Sequence, residues 1–402
     1  MGKPTLTLFI LLGALGGLTP LAIDMYLPAI PTIAQELGAG VEGVQLTVSL
    51  YLAGFALGQL VYGPLADSLG RRPVILFGLA LFCLSSLGCL LVTDLTQLLA
   101  LRFLQATGGA AGAVVVNALL RDLFSGEDLV RSMSLVILTM TLAPLLAPML
   151  GSVLLGLGWH AIFALLALLG AVLFFMLYRL VPETLPVERR RPLRPAVVLG
   201  GFATVLGNRV AMGHLLPGIL ASAGMFAFIS GSPFVYIGFF GLSPMEYGML
   251  FATNVGLMML LTFLNTRLIR RWGQERMLRI GLFGVALAAV LLLVVGLTGL
   301  GGLVGLVIPV VLYVGQLGFI GANSMSLAMN HFGSSAGTAS ALAGTLRFGC
   351  GALAGWGVNL LPASSPLPMA GGMALCGFCA LGLHLWYGRG DGPTAEAAQA
   401  SI

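Results

Sequence analysis

GLFGVALAAVLLLVVGLTGLGGLVGLVIPVVLYVGQLGFIGANSMSLAM, residues 281–329, runs for 49 positions without one charged side chain. A helix crosses the hydrocarbon core of a bilayer in about 20 residues. The stretch is therefore two crossings, parted by the glycine-rich turn at 296–302. Working outward, residues 5–31 hold a single acid, Asp24, and residues 74–92 and 161–177 hold no charge at all. Scanned this way, the chain predicts twelve spans, at 6–34, 44–68, 74–92, 96–121, 130–156, 161–180, 211–240, 245–270, 276–297, 302–330, 336–361 and 368–387. The runs are continuous rather than alternating in polarity, which points to helices and not to the strands of a barrel. Composition agrees. Of 402 residues, 58% are hydrophobic and 8% charged, with a mean hydropathy of +1.03, where a soluble domain carries about 25% charged residues.

The arginines orient the spans. Arg71 and Arg72 lie between spans two and three, Arg121 and Arg131 between four and five, Arg179 to Arg209 between six and seven, and Arg267 to Arg279 between eight and nine. Lys3 and Arg389 mark the ends, and the odd-numbered loops carry no Lys or Arg. The positive-inside rule then places both termini and the even loops in the cytoplasm of a bacterial inner membrane. The net charge of +5 is a topology signal, with anionic lipid rather than nucleic acid as the partner of the basic run at 188–194. The first span follows Lys3 like a signal peptide but lacks a small-x-small cleavage site, so it reads as a retained helix. Cys83, Cys89, Cys350, Cys376 and Cys379 all fall within spans, where they read as packing residues. No metal set and no cofactor are expected.

Residues 182–208 form the longest polar break and hold four prolines. They read as a cytoplasmic linker between an N-terminal six-helix bundle, 1–181, and a C-terminal one, 209–402. A faint repeat supports this. Gly63 to Gly70 closes span two and Thr266 to Gly273 closes span eight, half a chain apart, as in transporters built from repeated halves with a midplane site. The fold class read here is all-α membrane protein, twelve transmembrane helices in two six-helix bundles.

Charge inside a span is expensive and reads as function, with a partner expected. Asp24 stands about 20 residues into span one and Arg102 one to two turns into span four, at similar depth. Burial favours a neutral carboxyl and a nearby guanidinium favours a charged one, so an acid set between the two can exchange a proton. Arg347 is a further mid-span charge, read equally as cavity lining or as a structural donor to neighbouring carbonyls. Tyr26, Tyr51, Gln105 and Asn117 from the first half, and Phe226, Tyr236, Asn254, Gln316 and Asn323 from the second, are polar or aromatic residues placed to line a cavity suited to neutral or weakly polar molecules.

Gly63-Pro-Leu-Ala-Asp67-Ser-Leu-Gly70-Arg71-Arg72 at the end of span two resembles the loop signature of the major facilitator superfamily, G-x-L-a-D-x-x-G-R-R. Arg102-Phe-Leu-Gln105-Ala106 resembles the family's R-x-x-Q-G, with alanine for glycine. Pro144, Pro148 and Gly151 in span five form a looser antiporter motif, Ala-Pro replacing Gly-Pro. With Ile23-Asp24-Met25-Tyr26-Leu27-Pro28, Pro182-Glu183-Thr184-Leu185-Pro186 and Ala336-Gly337-Thr338-Ala-Ser340, the whole chain resembles the bicyclomycin-resistance branch of the drug/proton antiporters. The resemblance implies a proton-coupled exporter of small drug-like molecules, such as bicyclomycin, chloramphenicol-type compounds or sulfonamides, working as a monomer. It implies that Asp24 and Arg102 couple protons to substrate. It further implies that Asp67 faces the start of span eleven, near Ser335 to Thr338, in the outward-open state, an arrangement the helix dipole favours, and that Arg71 pairs with Asp122. Some relatives carry a second acid two turns before Asp24, where this chain has Gly16 and Gly17.

Other classes offer rival readings of the same residues. Gly333-x-Ser335-x-Gly337 matches a nucleophile elbow, but that motif needs a strand-turn-helix context, and a serine cap on span eleven explains it better. The chain has no G-x-x-x-x-G-K-[ST] loop, and its one lysine is Lys3, which argues against ATP-driven export. On the same fold, a proton symporter taking up a small nutrient is the alternative reading, and a passive facilitator comes third.

Overall fold

The computed structural model describes residues 6–388, apart from 191, 334, 335 and 363. It is helical throughout, with no strand among the described residues. In the first bundle are α1 (Leu6–Asp24), α2 (Ile30–Glu36), α3 (Val41–Leu69), α4 (Arg71–Gly88), α5 (Leu95–Leu123), α6 (Gly126–Leu155) and α7 (His160–Leu180). A short α8 (Pro195–Gly207) leads into α9 (Arg209–Ser232), α10 (Pro244–Trp272), α11 (Gln274–Thr298), α12 (Gly302–Met329), α13 (Ala336–Asn359) and α14 (Leu367–Gly388). Eleven helical stretches among the described residues are long and apolar enough to cross a membrane, α1 and α2 counting as one. The span expected at 336–361 is the long helix α13. It falls short on apolarity because half of its 24 residues are glycine or alanine and one is Arg347.

Local chemistry sets the boundaries. Asp94 caps α5 by accepting from the Gln97 N–H. Asn208 caps α9 at Ala211. Ser243 and Glu246 form a reciprocal capping box at α10. Two junctions are glycines at positive φ, Gly70 at +110° between α3 and α4, and Gly273 at +75° between α10 and α11. They are the two ends of the repeat seen in the sequence, and α3 and α10 are both 29 residues long.

Two features differ from the sequence reading. Spans one and seven are not continuous. Pro28 and Pro31 have no N–H for the carbonyls four residues back, and α1 gives way at Asp24 to a turn and a short 3-10 segment, Leu27–Ala29, before α2. Span seven changes at Pro233 into a π-helical turn, Pro233–Phe239. Residues 182–208, read as a linker, contain α8. The segment PAVVLGGFATVLG carries no charge and opens with proline at N1, and it buries Phe202 and Val205 against Ala211, Phe332, Ala339 and Leu342.

Within the first bundle α5 packs between α3 and α4, and α1 lies on α6. In the second, α9 lies on α13 and α14, and α12 on α10 and α11. The halves meet along α3 and α13 and along α6 and α10, and through the breaks of spans one and seven, where α2 touches the π-helical turn. That last seam lies on the side free of arginine. There the Ser152 hydroxyl of α6 donates to the Pro244 carbonyl of α10 at 2.7 Å. Large apolar side chains such as Phe77, Leu84, Leu168 and Leu287 stand 60–66% exposed on the outer faces, more apolar surface than water tolerates on a soluble chain.

Candidate functional site: a buried acid at a broken helix

Arg102 of α5 is completely buried. Its Nη1 donates to the Gln105 Oε1 at 2.6 Å and to the Ala22 carbonyl of α1 at 3.1 Å. Gln105 in turn donates from Nε2 to the Ser86 hydroxyl of α4 at 2.7 Å, and Ser86 donates to the Phe82 carbonyl. The guanidinium lies 4.5 Å from the centre of the Tyr26 ring and 4.4 Å from that of Tyr51, within range of a cation–π attraction strengthened by desolvation. Four residues singled out in the sequence, Tyr26, Tyr51, Arg102 and Gln105, are thus one cluster, tying α1, α3, α4 and α5 together. Ser86 and Thr47, whose hydroxyl lies 3.0 Å from the Tyr26 hydroxyl, belong to it as well. Nothing in their local sequence marks them.

Asp24 is the last residue of α1 and is 4% exposed. Among the described residues it is the only buried acid. The expected Asp24–Arg102 pair does not form. No ion pair within 4 Å joins them, because stacking and the Gln105 and Ala22 bonds turn the guanidinium elsewhere. The carboxyl instead lies within electrostatic reach of two phenols, Tyr51 of the first bundle and Tyr247 of α10 in the second. Tyr247 shares a 3.0 Å hydrogen bond with Ser232, the last residue of α9. Asp24 therefore stands at the break of one bundle, facing the break of the other. Tyr247 was missed in the sequence, since a tyrosine near the start of a span looks like an interface residue.

The span-five motif explains how α6 reaches this point. A Cβ on Gly151 would sit 2.0 Å from the Met25 carbonyl oxygen, so only glycine lets α6 lie against the break of span one. Pro148 leaves its carbonyl to the Ser152 hydroxyl, the same hydroxyl that crosses to Pro244, and Pro144 lies one turn earlier within α6.

At the arginine-rich end, Arg71 bonds Asp67 within one turn and lies 3.6 Å from Asp122 of α5. Glu183, beyond α7, accepts from the backbone N–H groups of Arg71 and Arg72, capping the first turn of α4. Thr184 donates to Asp122. Asp67 is half exposed and turned to Arg71 rather than to α13. Its contact with span eleven is what the resemblance implies for the outward-open state. Ser335 lies outside the described residues. Gly63 has no close neighbour demanding glycine.

The remaining expected lining residues separate. Phe226 packs tilted against Phe348 of α13, and Phe348 meets Phe55 of α3 edge-on, at ring distances of 5.3 and 4.5 Å, which places all three on the seam between the bundles. Tyr236 is buried beside Phe228 and Tyr247. Asn254 donates to the Leu250 carbonyl. Asn323 donates to Asn265 at 2.8 Å, and Gln316 lies against Gly284 of α11, so both face inside the second bundle. Asn117 and Arg347 are exposed.

A multi-pass helical chain with two half-chain repeats, broken helices meeting at a buried acid, and a motif-bearing turn at the arginine-rich end is built as a membrane transporter. The chain belongs to the Major Facilitator Superfamily, whose model matches residues 12–355. It is a transporter and not an enzyme. It is 36% identical to a bicyclomycin resistance protein homolog of Haemophilus influenzae over 93% of this chain and 94% of that one. It is 32% identical to multidrug resistance protein D of Escherichia coli over 87% of each. The fold matches that of the xylose transporter XylE from E. coli in a partially occluded inward-open conformation, with a TM-score of 0.71, 13% identity, and coverage of 94% of this chain and 96% of that one.

Proposed function

We propose that this transporter exports small drug-like molecules, of the bicyclomycin, chloramphenicol or sulfonamide kind, in exchange for protons by alternating access. The names of the relatives support the drug-resistance part of this reading. The observation that carries the proton part is Asp24, a buried acid free of an arginine partner, at the one place where the breaks of both bundles meet. This reading places the arginine-rich side in the cytoplasm of the inner membrane and takes the drug from there. A drug entering from there displaces the Asp24 proton inward. The bundles rock, and Asp24 takes a proton from outside as the drug leaves. Coupling follows because proton and drug disfavour each other at one site. Export of a neutral drug against one proton then draws about 2.3 kcal/mol from each 100 mV and about 1.4 kcal/mol from each pH unit. Arg102, locked among Tyr26, Tyr51 and Gln105, holds the break in shape. The reading takes the chain as a monomer in contact with anionic lipid.

The test is proton release from purified protein in detergent on addition of chloramphenicol or bicyclomycin. We expect drug-dependent release from the wild type and none from Asp24→Asn. Release that persists in the variant moves the proton site elsewhere. Proton uptake on binding reverses the coupling and makes the chain a symporter.

A further inference from the structure

We infer that Arg347 makes the transport cavity select neutral molecules rich in hydrogen-bond acceptors and reject lipophilic cations, an inference that rests on the efflux reading above and narrows its substrate class. Arg347 lies at the middle of α13. Three residues before it on the same face, Gly344 meets Gln59 of α3 in the first bundle. Four residues after it, Gly351 meets Phe226 of α9. Residues at i−3 and i+4 share a helix face, so Arg347 points into the seam between the bundles. The outer stripe of α13, with Leu353 at 66%, Trp356 at 49% and Leu360 at 62% exposed, runs along a different face, Leu353 being about 240° round the helix at 3.6 residues per turn. Arg347 is exposed, and on the seam-facing side of α13 that exposure keeps a mid-membrane charge hydrated.

No hydrogen bond or ion pair engages Arg347 among the described residues, whereas Arg102 is held by two acceptors and two ring faces. Its five N–H donors are free for a ligand. Around it the seam is apolar and amide, with Phe55, Phe226, Phe348 and a buried Gln59 oxygen that has no donor. The electrostatic sum takes in the first bundle. Span one offers one carboxyl, Asp24. About two turns before it, Gly16 and Gly17 fill their positions by packing on Val136, Met140, Thr139 and Ala143 of α6, leaving no second acid. A cation meets a permanent guanidinium with one carboxylate to offset it. An anion binds Arg347 but is repelled by ionised Asp24, so it binds best with Asp24 protonated, the sign of symport rather than exchange. A neutral molecule presenting paired carbonyl or nitro oxygens meets neither objection and suits the planar donor fork.

The experiment measures equilibrium binding of chloramphenicol and of tetraphenylphosphonium to the full-length protein in detergent, for the wild type, Arg347→Gln and Arg347→Lys, with thermal unfolding to confirm that each variant folds. The wild type should bind chloramphenicol at least about tenfold more tightly than the cation, the size of one charge-assisted hydrogen bond. Arg347→Gln should weaken chloramphenicol by about tenfold and tighten the cation. Arg347→Lys, which keeps the charge but not the fork, should weaken chloramphenicol while still excluding the cation. A wild type that prefers the cation, or a Gln variant that shifts neither ligand, overturns the inference. Proton release recorded on the same samples separates the two readings. If drug-linked release is intact while the charge preference ignores Arg347, this inference alone is overturned. A wild type that binds neither probe overturns both.

Discussion

The two bundles break their first helices at corresponding places and fill the break differently. In the first, α1 stops at Asp24 ahead of Pro28, and the gap is braced by a buried guanidinium clasped by two tyrosines, a glutamine and a backbone carbonyl. In the second, α9 stops at Ser232 ahead of Pro233, and the brace is neutral. Ser232 bonds Tyr247, and Asn359 donates to Ser230. The brace of the first break carries a fixed charge, and the hydroxyls and amide that brace the second carry none. In the exchange proposed above, the bundle with the charged brace holds the proton-binding group and the other bundle moves across it.

The sharpest way to break this comparison is through the glycines that admit neighbouring helices. Gly151 faces the Met25 carbonyl, backbone that cannot step aside. Gly355 faces the Ser49 hydroxyl, which can rotate, and the Ser230 side chain at 3.2 Å, which must give by only a few tenths of an ångström. Gly151→Ala should therefore destabilise by about 3 kcal/mol, the upper range for overpacking, and Gly355→Ala by less than about 1 kcal/mol. Thermal unfolding in detergent reads both. Equal losses would mean that the first break is no more rigid than the second. Next in size, Arg102→Gln removes the two ring contacts and leaves the Ala22 carbonyl unpaired, a loss of about 2 kcal/mol. Asn359→Ala in the second bundle should lose no more than about 1 kcal/mol. If the two changes cost the same, the charged brace has no special role.

Much of this was readable in the chain. The uncharged stretches mark the crossings, because hydrocarbon demands apolar length, and Gly70 and Gly273 mark the repeat. The grouping of Tyr26, Tyr51 and Gln105 with Arg102 was legible only as a list of polar residues in spans. Two things were not legible. Where a guanidinium turns among several acceptors is a three-dimensional choice, so the Asp24–Arg102 pair suggested by equal depth did not form. Whether a mid-span polar residue faces the seam or its own bundle depends on helix rotation, which glycine-rich, nearly uniformly apolar helices do not encode in their periodicity. Hence Asn323 and Gln316 turn inward to Asn265 and Gly284. The helix α8 was hidden inside a segment judged by its prolines and arginines, although its last thirteen residues are apolar.

The smallest effect separates the two repeat glycines themselves. Both hold a positive φ with ψ near 160°, a region essentially confined to glycine, which costs a side-chain-bearing residue about 1–3 kcal/mol. At Gly273 nothing lies within 4 Å of a new Cβ, so Gly273→Ala should lose that and no more. At Gly70 the new methyl would meet the Glu183 carboxylate, which caps α4 through the Arg71 and Arg72 N–H groups. Gly70→Ala should lose a further 1 kcal/mol or so, the usual value of a cap. In Glu183→Ala, which has already given up the cap, adding Gly70→Ala should restore parity with Gly273→Ala. The double-mutant cycle by thermal unfolding checks this, and additivity of the two changes would show that the turn of the first bundle is held no differently from its repeat in the second.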